Sequence, residues 1–223
     1  MACGILMAGT ENLLLTALAR RLAQGAVPYA LALASDEGMP PAAKRRETRA
    51  EERHILDWLP QSPLSARALV IAAENRLGIF DAALLVCAAP SRIFPADPDC
   101  GEISAAIDRY VKSYLFLARE LRAYFRKHGG TLAFVCAEGG AFGGPLSSLI
   151  TQAFYSFAGE VLLKAQDEKC IGFLGARSLE GAVEADDFAA FILKTMENQK
   201  QTDTRKWQKF GGSSPLAKLK NLF

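Results

Sequence analysis

Short apolar runs alternate along the chain with longer stretches whose apolar residues recur at helical spacing. The run 82–87 is apolar at every position, which is typical of strands covered on both faces of a parallel sheet. The pattern predicts strands at 4–8, 29–34, 54–59, 82–87, 132–136 and 170–174, and helices at 13–24, 42–52, 65–76, 103–128, 147–166 and 185–197. Because strands and helices alternate, we expect an α/β fold, a doubly wound parallel sheet with helices on both faces in three layers.

The length of the chain suits one domain. Its 223 residues predict a single domain over 1–197 and a polar C-terminal tail over 198–223. The segment 198–214 is polar and ends in Gly and Ser, which is typical of a mobile tail. Trp207 and Phe210, with the leucines that follow them, could instead dock on the domain or on a partner.

Charge and cysteine content restrict the partners and the compartment. The formal net charge is +2, from 26 Lys and Arg against 24 Asp and Glu, so nothing favours nucleic acid or an anionic membrane as a partner. The five cysteines, at positions 3, 87, 100, 136 and 170, include no Cys-x-x-Cys pair, which argues against a zinc site and a disulfide framework. With no signal-like N-terminus and no apolar run of about 20 residues, we expect a cytoplasmic protein.

Several stretches, taken in order, resemble the short-chain dehydrogenase/reductase family. Residues 4–26 resemble its first strand, turn and helix, and 65–90 (SARALVIAAENRLGIFDAALLVCAAP) resembles its next helix, Gly turn and fourth strand. Residues 106–138 resemble the long helix that leads into its fifth strand, and 167–177 (DEKCIGFLGAR) resembles its sixth strand. The resemblance implies a Rossmann-type domain, NAD(P) as cofactor, oxidoreductase chemistry, and a dimer or tetramer formed through the helices at 103–128 and 147–166.

The resemblance also places candidate cofactor contacts near the ends of the predicted strands, at Gly9, Thr10, Asp36, Asp57, Cys87 and Ala88. The family's phosphate turn reads TGxxxGxG, and only its first glycine is present here, as Gly9. Leu13 and Leu15 stand at the other two glycine positions, where a branched side chain would occupy the space of a phosphate. Both leucines could equally pack the core, and Asp36 could belong to a turn instead of binding a ribose.

The family's catalytic Asn, Ser, Tyr and Lys are all substituted on this alignment. Its Tyr and Lys form a YxxxK motif, in which the ammonium lowers the phenol pKa, and the chain contains no such motif. The corresponding positions hold Tyr110 for Asn, Ala137 for Ser, Ser148 or Leu149 for Tyr, and Gln152 or Ala153 for Lys. We therefore assign no catalytic residue and no metal site.

Four other side chains could lie near the same edge of the sheet. Glu138 follows the fifth strand and could act as a base or a ligand, although a solvated carboxylate is the simpler interpretation. Cys87 and Cys136 end adjacent strands and could face one crevice, but no histidine near them in sequence indicates an activated thiolate. Tyr155 is flanked by phenylalanines and is expected to pack.

Two functions remain. The missing groups favour a catalytically degenerate relative that needs no cofactor and acts as a binding, regulatory or structural subunit of a homo- or hetero-oligomer. The alternative is a divergent NAD(P)-dependent oxidoreductase with a rearranged active site. The helix at 147–166 is apolar on more than one face, which predicts that a second subunit covers it. Alternatively, the C-terminal tail could fold back over this helix and cover it.

Overall fold

The computed structural model describes residues 4–10, 12–34, 55–88, 97–137, 144–165, 169–175, 182–198 and 206–211. Its strands are β1 (Gly4–Gly9), β2 (Tyr29–Ala34), β3 (Ile55–Trp58), β4 (Phe80–Ala88), β5 (Thr131–Ala137), β6 (Lys169–Gly175) and β7 (Trp207–Phe210). Its helices are α1 (Leu13–Gln24), α2 (Pro63–Leu77), α3 (Cys100–Ile107), α4 (Ser113–His128), α5 (Pro145–Lys164) and α6 (Ala182–Glu197). The predicted helix at 42–52 lies outside the described residues.

The strands form one parallel sheet in the order β3-β2-β1-β4-β5-β6-β7. From β1 the chain winds outward to β3 on one side, and from β4 it winds outward to β7 on the other. The strand order therefore reverses between β1 and β4, which is the topological switch point of such a sheet. The predicted α/β fold, a doubly wound parallel sheet with helices on both faces, is confirmed.

Two apolar cores lie on opposite faces of the sheet. On one face, Leu85 and Phe134 belong to a core that includes side chains of α2, α4 and α5. On the other, Val86 and Val135 belong to a core that includes side chains of α1 and α6. Because successive residues of a strand point to opposite faces, a central strand must be apolar at nearly every position. All seven residues of β5 are buried for this reason.

The predicted helix at 103–128 is divided in the structure. α3 begins earlier, at Cys100, because Asp99 and Glu102 form a reciprocal cap at its first turn. A π-helical turn, Asp108–Lys112, separates α3 from α4. Both Tyr110, in this turn, and Tyr114, in α4, are buried. Turns of this kind often accompany functional sites, and apolar periodicity alone does not reveal them.

The sheet also contains a strand that the sequence pattern did not predict. Trp207–Phe210, in the expected tail, pairs in parallel with β6. The Trp207 ring stacks on Tyr155 of α5 with 4.7 Å between centroids, and the Phe210 ring stacks on Phe188 of α6 at 5.1 Å. This part of the tail therefore docks on the domain, with one aromatic ring on each face of the sheet. Among the described helices, none combines the length and the apolar character needed to cross a bilayer.

The position of Trp207 depends on Gly172 of β6. A β-carbon at residue 172 would lie 2.7 Å from Trp207 Cε3 and 2.8 Å from Leu162 Cδ1. We expect Gly172→Ala to lower the free energy of unfolding by about 1–3 kcal/mol, because the added methyl overpacks this contact. Urea unfolding measures the loss, with Gly211→Ala as control, since a β-carbon there meets no atom within 4 Å. Equal midpoints for the two variants would contradict the expectation.

Candidate functional site

The carboxyl ends of the parallel strands meet at one edge of the sheet. Ligands of open α/β sheets bind outside this edge, at the switch point between the strands where the order reverses. In this chain the switch point lies between the end of β1, at Gly9, and the end of β4, at Cys87 and Ala88. These residues and their neighbours define the candidate site.

Gly9 is required by the packing of β1 against β4. A β-carbon at residue 9 would lie 2.5 Å from the backbone oxygen of Val86 and 3.1 Å from Leu15 Cδ1. The Leu15 side chain is buried in the core that includes α1 and α6. The packing of β1 against β4 therefore explains why residue 9 is glycine, without any contribution from a ligand.

The N-terminus of α1 is already capped by the protein. Asn12 Oδ1 accepts a hydrogen bond from the backbone N–H of Leu15 at 2.9 Å, and Asn12 Nδ2 donates to the Thr10 carbonyl oxygen at 2.7 Å. Free N–H groups at a helix N-terminus are what an anion binds, and one of them is occupied here. Leu13, the first residue of the helix, is 53% exposed. The expectation that Leu13 packs the core is therefore wrong, whereas Leu15 does pack it.

A tyrosine side chain lies at the switch point. The Tyr114 hydroxyl donates a hydrogen bond to the backbone oxygen of Val86 at 2.7 Å. The Tyr114 ring meets the ring of Trp58 edge-on at 6.3 Å and that of Phe154 at 4.9 Å. Tyr114 is therefore held by groups from β3, β4 and α5.

Burial sets the protonation of this site. It raises the pKa of Tyr114 well above the ordinary value, and nearby Cys87, Tyr110 and Cys136 raise this pKa further, whereas the backbone of Thr10 lowers it by less. Burial likewise raises the pKa of the Cys87 thiol, with a smaller contribution from Cys136. Both shifts favour the neutral phenol and the neutral thiol near pH 7.

The structure brings Cys87 and Cys136 together. They are paired in register on β4 and β5, and both are buried in the core that includes α4 and α5. Both thiols therefore lie in the apolar core, and they do not face an open crevice as the sequence analysis suggested. Ala88 and Ala137 are the last residues of the same two strands.

The other sequence-predicted positions are not assembled into one site. Asp57 lies within β3, not after it, and is exposed. Asp36 and Glu138 lie outside the described residues. Tyr155 packs, as expected, with its ring on Trp207 and therefore away from the switch point. The positions that correspond to the family's tyrosine and lysine are Ser148 or Leu149, which are exposed, and Gln152, exposed, or Ala153, half-buried.

Sequence reasoning missed two residues at this edge. Tyr114 follows Tyr110 by one helical turn, and that spacing was the available signal. Arg109 was missed as well, although it stands in the π-helical turn. Its Nη2 donates to the Ala34 carbonyl oxygen at 3.1 Å, and its guanidinium carbon lies 5.5 Å from the centroid of the Tyr110 ring. The contact joins the π-helical turn to the end of β2.

Comparison with solved structures identifies the class of fold. A short-chain dehydrogenase from Mycobacterium smegmatis is 14% identical, with 96% of this chain and 93% of that chain covered and a TM-score of 0.71. The NADPH-dependent 3-quinuclidinone reductase from Rhodotorula rubra is 15% identical, with 93% and 89% covered and a TM-score of 0.68. The short-chain dehydrogenase/reductase from Serratia marcescens BCRC 10948 is 13% identical, with 94% and 96% covered and a TM-score of 0.65.

The chain therefore has the fold of the short-chain dehydrogenases/reductases, as the resemblance of its sequence implied. No protein-family model matches the sequence, and no curated protein matches it either. At 13–15% identity, the likeness establishes the fold alone.

The groups at this edge do not fit a dinucleotide held as the family's glycine turn would hold it. The Leu13 side chain stands at the start of α1, and the Leu15 side chain fills the space beside Gly9. The N–H of Leu15 is capped by Asn12, and the Val86 carbonyl accepts the Tyr114 hydroxyl. Close approach of a pyrophosphate needs glycine and free N–H groups at these places.

The packing role of Gly9 can be measured. We expect Gly9→Ala to lower the free energy of unfolding by about 1–3 kcal/mol, because the backbone oxygen of Val86 cannot move aside without disturbing β4. Gly25→Ala is the control, since a β-carbon there would have its nearest neighbour at 3.5 Å. Urea unfolding without any ligand compares the two variants. A Gly9→Ala protein as stable as the unaltered chain would show that β1 and β4 are less closely packed.

Proposed function

We propose that this chain keeps the short-chain dehydrogenase/reductase fold without its hydride-transfer chemistry, and acts as a binding, regulatory or structural subunit of an oligomer. The observation that carries this proposal is the state of Tyr114. Its hydroxyl is buried at the switch point, donates to a backbone carbonyl, and has a raised pKa. The residue one turn further along α4 is Ala118, so this tyrosine is not followed by the lysine that in a YxxxK motif lowers the pKa of the phenol.

The acid–base argument supports the proposal. An ordinary phenol, with a pKa of about 10, is already a poor base near neutral pH and needs a nearby positive charge to become a better one. Burial acts on Tyr114 in the opposite direction. Tyr155, the other tyrosine near α5, has its ring stacked on Trp207 and is followed one turn later by Gly159. Neither tyrosine has the environment of a proton donor and acceptor for a carbonyl.

The second candidate is a divergent NAD(P)-dependent oxidoreductase. The likeness in fold to an NADPH-dependent 3-quinuclidinone reductase favours it. In that case the reacting groups would come from segments outside the described residues, such as Glu138, which directly follows β5. The chemistry would then differ from that of a tyrosine–lysine pair.

Titration with dinucleotides separates the two functions. We expect no binding of NAD+, NADH, NADP+ or NADPH with a dissociation constant below about 1 mM, because the α1 N-terminus and the Gly9 region are filled by the protein's own groups. Isothermal titration calorimetry measures the binding, and absorbance at the nicotinamide band follows turnover of a panel of ketones and aldehydes. Micromolar binding together with turnover would overturn the proposed function and establish the second candidate. An active reductase of the same fold, run beside it, shows that the assay detects such activity.

The surface for assembly lies on the outer side of α4 and α5. Leu149 and Leu163 of α5 are 50% and 72% exposed, and Leu115 of α4 is 38% exposed. Trp207 contacts another part of α5 through its stacking on Tyr155. Exposed leucines on two neighbouring helices support a second subunit here, in a two-fold arrangement.

A single charged substitution on α5 tests the predicted oligomeric state. We expect a dimer or tetramer at micromolar concentration, and we expect Leu149→Glu to dissociate it, because an unpaired carboxylate would be buried at the interface. Leu64→Glu on α2, where Leu64 is 78% exposed, is the matched control and should leave the assembly unchanged. Light scattering coupled to size-exclusion chromatography gives the masses. A monomeric unaltered chain, or an equal effect of the two variants, would refute an interface at α5.

A further inference from the structure

A cavity of about 160 Å³ lies at the amino edge of the sheet, where the strands begin. Its lining includes Leu132, the second residue of β5, and Lys169 and Cys170, the first two residues of β6. The C-terminal half of α4 contributes Arg122 and Phe125. Because all strands of the sheet are parallel, this cavity lies at the opposite edge from the switch point and is a separate place in the fold.

The apolar part of the cavity is formed by buried side chains. Phe125, Leu132 and Cys170 are 8%, 1% and 2% exposed. A β-carbon at Gly130 would lie 2.5 Å from Phe125 Cδ1, so this glycine lets the phenylalanine ring lie against the turn that follows α4. The Gly129 N–H donates to the Phe125 carbonyl oxygen at 2.8 Å, which holds the same turn in place. The walls are therefore formed before any ligand arrives, which reduces the cost of binding.

Two cationic side chains complete the lining, and they come from different elements. Arg122 of α4 is half-buried, and Lys169 of β6 is exposed. None of the described residues that line the cavity is acidic. A guanidinium and an ammonium next to an apolar wall form charge-assisted hydrogen bonds with a carboxylate. The charge of the lining therefore favours an anion over a neutral or cationic ligand.

The volume of the cavity limits the ligand to about one ring. A cavity of roughly 150 Å³ in another protein is filled by benzene. We infer that this cavity binds a small organic anion, a monocarboxylate with an apolar body of about the size of benzene. The apolar body packs on Phe125 and Leu132, and the carboxylate is bound by Arg122 and Lys169.

This inference goes beyond the proposed function and does not depend on it. The cavity uses none of the residues at the carboxyl edge, so binding of a dinucleotide there would leave the amino edge unchanged. Titration with dinucleotides tests the proposed function, whereas titration with a carboxylate tests this cavity.

Benzoate is the probe, because it joins one aromatic ring to one carboxylate. We expect it to bind the unaltered chain with a dissociation constant below about 5 mM and to shift the amide resonances of Gly129, Gly130 and Cys170. Benzamide has the ring without the charge, and acetate has the charge without the ring. We expect each of them to bind at least about fivefold more weakly, since each lacks one of the two interactions. NMR titration at constant ionic strength measures all three compounds.

Two matched lysine variants test the charge. We expect Lys169→Gln to weaken benzoate binding about two- to fivefold, as removal of a solvent-exposed cation from an ion pair does. Lys127→Gln is the control, because Lys127 is an exposed lysine near the end of α4 that does not line the cavity. Both substitutions lower the net charge by one, so a difference between them separates a local contact from the field of the whole protein.

A third variant tests the volume. Cys170→Leu enlarges a lining side chain and keeps both cations, so we expect it to abolish the binding of benzoate. Lys169 is exposed, so Lys169→Gln keeps the test decisive if Cys170→Leu does not fold. The inference is overturned if benzoate does not bind below about 5 mM, or if benzamide binds equally well. Shifts confined to residues outside the cavity, or equal weakening by Lys127→Gln and Lys169→Gln, would overturn it as well.

Discussion

The close approach of β1 to β4 is the constraint on which the carboxyl edge of this sheet depends. The Val86 carbonyl oxygen stands where a β-carbon of residue 9 would be, so residue 9 must be glycine. The same oxygen accepts the Tyr114 hydroxyl, which anchors α4 to the centre of the sheet. Trp58 and Phe154 then pack edge-on against the Tyr114 ring. One backbone carbonyl at the switch point thereby organises two strands, a helix and an aromatic cluster.

Packing and proton transfer make opposite demands on such an edge. A group that exchanges protons near neutral pH needs solvent or a nearby charge to bring its pKa into range, whereas a group that packs must lose its solvent. In this chain the residues at the edge meet the requirement for packing. Burial raises the pKa values of both Tyr114 and Cys87, and Leu15 fills the space beside Gly9. At this edge of the sheet these residues therefore pack against one another and stabilise the fold.

The C-terminal strand shows how a short polar segment gains its structure from its surroundings. β7 has two aromatic and two polar residues, and each aromatic ring finds a partner on a different face of the sheet. Gly172 makes room for Trp207 on β6, which no property of residues 198–214 could have revealed. The same docking places the Trp207 ring on Tyr155 of α5, so a segment distant in sequence completes the packing on one side of this helix.

The alternation of apolar runs and helical periods was sufficient to predict the parallel sheet, since continuous burial of strands such as β5 leaves a local signature that needs no knowledge of distant contacts. The absence of a tyrosine–lysine motif was likewise visible in the sequence. The hydrogen bond between Tyr114 and Val86 was not, because the two residues are 28 positions apart and meet only when α4 packs on the sheet. Leu13 and Leu15 show the same limit: identical in type and two residues apart, one is exposed and the other buried. Residue types and periods are local quantities, whereas the contact that a side chain makes depends on the position of elements that only the assembled sheet provides.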